Sequence, residues 1–224
     1  MIRRIAPYSL RGFLYYQGEE DVQRYADYSD MMLMLVKQWR MDWNDWNLPF
    51  LFVQLPMYLA DGEKDDSYWA LQREQQYIAS MMIQNTGMIS LADCGEYDNI
   101  HPLDKKTPGE RLFQLAKNLV YDKQGTITAT AAQLFSDNGK LYVTFDHLHE
   151  KLVMQTANGC PFEISGEDNL LYPAKADVIH GNMLCISNPA VKFPSAVKYA
   201  WYNFGEAALF TESGNPVSPF FKCV

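Results

Sequence analysis

The sequence predicts an α/β fold followed by a small all-β region. Up to about residue 122, apolar runs of strand length alternate with segments of helical periodicity, which is the pattern of a parallel sheet with flanking helices. After that point, β-branched and aromatic runs alternate with glycine, asparagine and proline turns. We therefore predict two units, residues 1–122 and residues 123–224, each within the usual size of a domain.

The first unit reads as strand, helix, strand, helix, strand, loop and helix. The predicted strands are 12–16, 49–56 and 86–93, and the predicted helices are 21–43, 67–83 and 108–121. Thr107-Pro108-Gly109-Glu110 has the pattern of a capping box with proline at the first helical position, which predicts the start of the last helix. Parallel sheets of this kind place their ligands at the carboxyl ends of the strands.

The second unit begins with a predicted hairpin. Asp137-Asn138-Gly139 separates the β-branched runs 126–135 and 140–145, which is a strong hairpin signal. Shorter runs at 176–179, 183–186 and 196–204 predict further strands, and His180-Gly181-Asn182 predicts a turn between two of them.

Composition narrows the class of protein. Apolar residues make up 48% and charged residues 21%, as in an ordinary globular chain. The formal net charge of −8 disfavours nucleic acid and anionic membrane surfaces as partners. The four cysteines show no CxxC spacing, so no zinc site is indicated and their redox state stays open. Residues 1–7 carry charge without a long apolar segment behind them, which predicts no signal peptide.

A candidate catalytic pair follows the third predicted strand. Asp98 lies three residues before His101, so the carboxylate could orient the imidazole while the imidazole acts as a general base. Gln17 and Gly18 follow the first predicted strand, where a side-chain amide and a backbone N–H could stabilise an oxyanion. Because both segments follow parallel strands, we expect them to line the same edge of the sheet. The alternatives are a loop histidine paired with a nearby acid and a turn glutamine.

The sequence offers no nucleophile to match this pair. It has no Gly-x-Ser-x-Gly motif, and Ser213, which has a glycine neighbour, falls in the predicted β region as a turn residue. His147 and His149 could chelate a metal together with His101, but two solvated histidines are the simpler interpretation.

Several stretches resemble the sialate O-acetylesterase family, a group of SGNH-type hydrolases that also includes acetylxylan esterase-like members. Residues 11–19 are similar to its Arg-Gly-x-x-Trp-Tyr-Gln-Gly-Glu segment, with Tyr15 in place of the tryptophan, and residues 95–102 contain its Asp-x-x-His block. Further similar stretches are 50–56, 69–76, 85–88, 199–201 and 216–220.

The resemblance implies a carbohydrate O-acetylesterase that uses serine, histidine and aspartate, with no metal or other cofactor. His101 would be the general base, Asp98 its orienting partner, and Gln17 with the Gly18 backbone would contribute to the oxyanion hole. The substrate would be an acetylated sialic acid or another acetylated glycan. Family members are mostly secreted, periplasmic or lysosomal, and the location of this chain stays open.

One departure from the family is large. Members carry their nucleophile in a Gly-Gln-Ser-Asn-Met segment upstream of the Tyr-Gln-Gly-Glu block, and these 224 residues contain no such segment. We therefore expect the C-terminal part of an SGNH-type hydrolase, with an exposed sheet edge that pairs with an N-terminal companion segment or with another copy. The alternative function is a non-catalytic fragment or degenerate copy that binds a glycan or a protein.

Overall fold

A computed structural model describes residues 2–6 and 8–224 of the chain. Met1 and Pro7, which belong to the stretch that predicts no signal peptide, lie outside the described residues. Among the described residues, no helix combines the length and the apolar character needed to cross a membrane.

A three-stranded parallel sheet organises the first half of the chain. Its strands are β1 (Phe13–Tyr15), β2 (Phe50–Gln54) and β3 (Thr86–Ser90), in the order β1-β2-β3. Both pairs are parallel, which confirms the predicted parallel sheet. The third strand ends at Ser90, because residues 92 and 93 already form a turn.

Three α-helices cover the two faces of this sheet. They are α1 (Tyr28–Asp42), α2 (Tyr68–Met82) and α3 (Lys106–Leu119). Phe50 and Phe52 of β2 pack with residues of α1 and α2, whereas the alternate residues Leu51 and Val53 pack with α3. This alternation follows from the two-residue repeat of a strand buried on both faces, and it gives a three-layer arrangement.

Two predicted helix starts are wrong. The segment Glu19–Asp27 is a 3₁₀ helix interrupted at Arg24, where φ is −125° and ψ is 28°, so the first α-helix begins only at Tyr28. The Asp21 carboxylate accepts hydrogen bonds from the Gln17 amide and the Arg24 guanidinium, which holds this segment close to the preceding turn.

The last helix begins at Lys106 rather than Pro108. Asp104 Oδ1 accepts the N–H groups of Lys106 and Thr107 at 2.9 and 3.1 Å, so an aspartate upstream of the predicted capping box satisfies the first donors of this helix.

The second half of the chain consists of antiparallel strands, here called the antiparallel region (residues 130–223). The strands are β4 (Thr130–Asp137), β5 (Lys140–Asp146), β6 (Leu152–Met154), β7 (Phe162–Ser165), β8 (Tyr172–Pro173), β9 (Lys175–Ile179), β10 (Met183–Ser187), β11 (Ala196–Tyr199), β12 (Leu209–Thr211) and β13 (Phe220–Cys223). They form sheets of order β4-β5-β10-β9, β13-β11-β7-β8 and β12-β6.

The turns of this region follow the sequence pattern. Asn138 and Gly139 have φ values of 48° and 73° between β4 and β5, which confirms the predicted two-residue hairpin turn. The turn at 180–182 joins β9 and β10 as predicted.

Polar contacts fasten the antiparallel region to the parallel sheet. Asn203, which is buried, accepts the Trp69 N–H at 3.0 Å and donates to Asp66 at 2.9 Å, so it caps the first turn of α2 from the other half of the chain. The Ser218 hydroxyl donates to Gln54 Oε1 at 2.9 Å in a buried position at the end of β2. The antiparallel region therefore contacts the start of α2 and the carboxyl end of β2.

Candidate active site

The carboxyl edge of the parallel sheet brings the two predicted site segments together. Val22, Leu55 and Trp69 form a small buried cluster, and Tyr16 and Ile100 pack against it. Tyr16 directly precedes Gln17 in the chain, and Ile100 directly precedes His101. Leu55 follows β2, the strand between them, so one apolar cluster connects the ends of all three strands.

The Gln17 side chain is held by its neighbours rather than by its own backbone. Its Nε2 donates to Asp21 Oδ2 at 2.7 Å, and its Oε1 accepts the Tyr15 hydroxyl at 3.1 Å. A primary amide has two N–H donors, so one of them remains for another acceptor. Gln17 also lines a small cavity of about 220 Å³ together with Tyr28 and Leu35.

Two buried side chains fix the orientation of the peptide between Gln17 and Gly18. The Tyr28 hydroxyl and the Gln76 amide donate to the Gln17 carbonyl oxygen at 3.0 and 3.3 Å. Burial raises the pKa of Tyr28, so its hydroxyl keeps the proton that it donates. Because C=O and N–H point in opposite directions across a trans peptide, the Gly18 N–H points away from Tyr28 and Gln76.

Gly18 meets a backbone requirement that only glycine satisfies without strain. Its φ is 145°, and an added Cβ would lie 3.0 Å from Gln76 Nε2 and 3.1 Å from Gln72 Nε2. Its N–H finds no acceptor within the described part of the chain, which is uncommon for a buried backbone donor. The segment therefore presents one backbone donor and one amide donor at the sheet edge.

His101 lies in the loop between β3 and α3, residues 91–105, here called the His101 loop. Tyr97 and Asp98 form the tip of a tight turn between Glu96 and Asn99, and Asp98 has a left-handed φ of 56°. Aspartate tolerates that conformation better than most residues. The tip is anchored to the loop after β2, because the Asp98 N–H donates to the Leu59 carbonyl at 3.0 Å.

Glu96 organises the backbone on both sides of His101, and the sequence interpretation missed it. Its carboxylate accepts the Leu103 N–H at 2.6 Å and the Asn99 amide at 2.7 Å, while Asn99 Oδ1 accepts the His101 N–H at 3.1 Å. Nothing in the spacing of Glu96 and Leu103 predicts this contact, since neither belongs to a regular element.

The predicted partners Asp98 and His101 are close in sequence but share no hydrogen bond in the structure. Asp98 Oδ1 accepts the Asp61 N–H at 2.9 Å, and the His101 imidazole is exposed, with no partner among the described side chains. Asp98 Oδ2 carries no hydrogen bond within the described chain. The roles of His101 and Asp98 stay predictions.

Next to this loop, Arg111 of α3 holds the end of β3. Its guanidinium forms two 2.6 Å hydrogen bonds with Asp93 and donates to the Ser90 carbonyl at 3.0 Å. Such a bidentate pair is geometrically specific. Burial, with Asp93 adding to it, raises the pKa of the Cys94 thiol to about 12, so Cys94 is a poor nucleophile.

The histidines His147 and His149 lie elsewhere. They line a polar cleft of about 820 Å³ between α3 and the antiparallel region, together with Glu150. Within residues 2–6 and 8–224, no group of three or more histidine, cysteine, aspartate or glutamate side chains is arranged to hold a metal ion.

Comparison with known proteins places the chain in an esterase family. A family model described as carbohydrate esterase, sialic acid-specific acetylesterase, matches residues 1–118, which is more than half of the chain. The chain belongs to this family. The match covers the parallel sheet, the Gln17–Gly18 segment and the His101 loop.

Relatives extend the similarity into the antiparallel region. The mouse sialate O-acetylesterase is 27% identical over a 250-residue alignment that covers 98% of this chain and 46% of the mouse protein. The human sialate O-acetylesterase is 26% identical over 185 residues, covering 74% of this chain and 35% of the human protein.

A solved structure agrees with the fold. The crystal structure of a carbohydrate acetylesterase from Xanthomonas citri matches 97% of this chain with a TM-score of 0.89 and 32% identity, and 51% of that protein is covered. The chain thus spans less than half of the length of the curated relatives and about half of the solved relative.

Proposed function

We propose that this chain supplies the general base and part of the oxyanion hole of a carbohydrate O-acetylesterase. His101 is the base, Asp98 orients it, and Gln17 with the Gly18 N–H binds the oxyanion. The serine nucleophile comes from outside these 224 residues. The substrate is an acetylated sugar, with neither nucleic acid nor membrane as a partner.

The observation that supports this proposal most directly is the apolar cluster at the sheet edge. Tyr16 and Ile100, the residues immediately before Gln17 and His101, pack against the same three side chains. Since neighbouring strands are roughly 4.8 Å apart, the ends of β1 and β3 are about 10 Å apart, which leaves room for an acetyl ester between them.

The chemistry needs two proton transfers and an anion site. A serine oxygen attacks the acetyl carbonyl carbon, and His101 accepts the serine proton and passes it to the departing sugar oxygen. The carbonyl oxygen, now negative, accepts hydrogen bonds from the Gly18 N–H and from the free donor of Gln17. Water then releases acetate by the reverse sequence of proton transfers.

Asp98 fits the orienting role through its second carboxylate oxygen. Oδ1 is engaged by the Asp61 N–H, so Oδ2 is the atom that accepts the imidazole N–H of His101. The His101 side chain must turn toward Asp98 for this bond, and catalytic hydrogen bonds often tighten only when substrate binds.

We further propose that β1 pairs with a strand of an N-terminal companion segment. Within the described chain β1 pairs with β2 alone, and its central residue Leu14 is 62% exposed. Met34 on α1 is 70% exposed, which leaves apolar surface uncovered on that helix. An N-terminal companion segment would complete an SGNH-type sheet, and the antiparallel region would be an accessory module. Without the companion, the chain self-associates, and a monodisperse monomer in light scattering would contradict this.

Acetate release tests the function. The purified chain is mixed with the upstream half of a relative, and acetate is measured with an acetylated methyl xyloside and with acetylated sialic acid. We expect activity in the mixture, loss of at least a hundred-fold with His101→Ala, and no loss with His149→Ala, a histidine in the separate cleft. Saturable sugar binding without any acetate release would instead favour the non-catalytic binding fragment.

A further inference from the structure

Tyr97 is an exposed aromatic residue at the tip of the turn that carries Asp98. It is 49% exposed and lies four residues before His101. Two independent contacts hold its ring in place. The hydroxyl donates to Asp61 Oδ1 at 3.0 Å, and the ring meets Phe204 at a centroid distance of 5.6 Å with an interplanar angle of 64°.

These contacts come from different parts of the fold. Asp61 lies in the loop after β2, whereas Phe204 follows β11 in the antiparallel region. Tyr97 therefore joins the edge of the parallel sheet to the antiparallel region, in the loop that carries the candidate base. A side chain fixed at both ends loses little conformational entropy when a ligand stacks on it.

We propose that Tyr97 and Asp61 form a subsite for an uncharged pyranose ring of the acetylated substrate. This inference rests on the proposed esterase function. The ring supplies an apolar surface for the C–H groups of a sugar, and its fixed orientation suits a rigid ligand. Asp61 Oδ2, which has no hydrogen-bond partner in the described chain, accepts sugar hydroxyls next to that surface.

The charge of the surroundings selects against an anionic sugar. The segments 17–24, 55–67 and 91–105, which follow the three parallel strands, contain eleven carboxylates and three basic residues. Of those three, Arg24 is paired with Asp21, and Lys105 lies over the Tyr16 ring at 5.7 Å. Lys64 is the remaining cation. The carboxylate of a sialic acid would meet this excess of negative charge, whereas a neutral sugar would not.

Two helix arginines near the edge, Arg73 and Arg111, do not change this balance. Arg73 is fully buried, and its guanidinium donates to the carbonyl oxygens of Pro56 and Tyr202. Arg111 already forms a bidentate pair with Asp93, and both side chains are largely buried. Binding a substrate carboxylate there would require breaking that bidentate pair.

The test is an NMR titration of the full 224-residue chain labelled at tyrosine ring carbons. Methyl β-D-xylopyranoside is the neutral probe, and the methyl α-glycoside of N-acetylneuraminic acid is the anionic probe. We expect the xyloside to shift the Tyr97 ring signal and the sialoside to bind at least ten-fold more weakly. Tyr97→Ala should weaken xyloside binding by about five-fold or more, the effect of losing a ring contact.

Matched variants separate the roles. Tyr97→Phe keeps the ring and should retain most of the xyloside affinity. Asp61→Asn removes a negative charge and should reduce the difference in affinity between the xyloside and the sialoside. Phe193→Ala is the control, because Phe193 is 74% exposed in the antiparallel region, in the segment between β10 and β11. A wild-type Tyr97 signal that does not move with xyloside, or tighter binding of the sialoside, would overturn the inference.

The titration needs no ester cleavage, so it tests the subsite separately from the proposed esterase function. Xyloside binding at Tyr97 without acetate release by the assembled protein would refute the esterase function alone. Acetate release without any response of Tyr97 would refute the subsite alone.

Discussion

Gly95→Ala should push the His101 loop away from Met57, in the segment that follows β2. A Cβ at residue 95 would lie 2.0 Å from the Met57 carbonyl oxygen and 2.8 Å from the Met57 N and C atoms. All three are backbone atoms of a buried residue, so they cannot move aside as a flexible side chain would. Because ordinary contacts begin near 3.4 Å, the loop must retreat by more than 1 Å.

The size of the effect follows from the geometry. Forcing an extra methyl group into a well-packed site costs roughly 1–3 kcal/mol. Gly109→Ala is the matched control, since Gly109 lies in α3 with nothing within 4 Å of an added Cβ. That change should stabilise the protein by roughly 0.5–1 kcal/mol, because alanine favours the helix.

Urea unfolding followed by circular dichroism measures both variants. We expect their free energies of unfolding to differ by roughly 1.5–4 kcal/mol, with Gly95→Ala the less stable. If His101 is the base, as proposed, a displacement of about 1 Å should also lower acetate release in the mixture with the upstream half of a relative by about a hundred-fold. If the free energy of unfolding of Gly95→Ala lies within about 0.5 kcal/mol of the wild-type value, the His101 loop does not pack against Met57 as described.

Three further predictions concern the same edge. Glu96→Gln replaces a charged acceptor by a neutral one, so the Leu103 amide should exchange its hydrogen about three- to ten-fold faster by NMR. Asn203→Ala removes the cap on α2 and should lower the free energy of unfolding by roughly 1–3 kcal/mol in urea. The raised pKa of Cys94 favours its neutral thiol, so iodoacetamide at pH 8 should modify the exposed Cys223 first, as mass spectrometry would show.

Each of these has a clear contrary result. Unchanged exchange at Leu103 would mean that Glu96 does not hold the loop. An Asn203→Ala variant as stable as the wild type would mean that the cap contributes nothing. Alkylation of Cys94 at the rate of Cys223 in the folded protein would contradict the half-buried position and raised pKa of the Cys94 thiol.

The sequence pattern was sufficient for the parallel sheet and the hairpin because both depend on local signals. A continuous apolar run marks β2, and the Asn138-Gly139 pair adopts the positive φ values that a two-residue turn requires. The starts of the helices were harder to predict from the sequence. Asp104 caps α3 from outside the Thr107–Glu110 motif, and Arg24 interrupts the first helix although its neighbours favour helix.

The candidate site was predictable only in part. Gln17, Asp98 and His101 stand out because they follow strands, and strand ends meet at one edge of a parallel sheet. Glu96, Tyr28 and Gln76 do not, because their contacts join residues that no repeat relates. The contact of Asn203 with α2 spans more than a hundred residues and depends on how the two halves pack.

Fluorophosphonate labelling is the sharpest test of whether His101 activates a serine outside this chain, because it locates the nucleophile and depends on the base. The chain and the upstream half of a relative are labelled together, and the modified peptide is identified by mass spectrometry. We expect a single labelled serine outside the 224 residues, with labelling at least a hundred-fold slower in His101→Ala. A labelled serine within the 224 residues, or labelling that is indifferent to His101, would contradict this expectation.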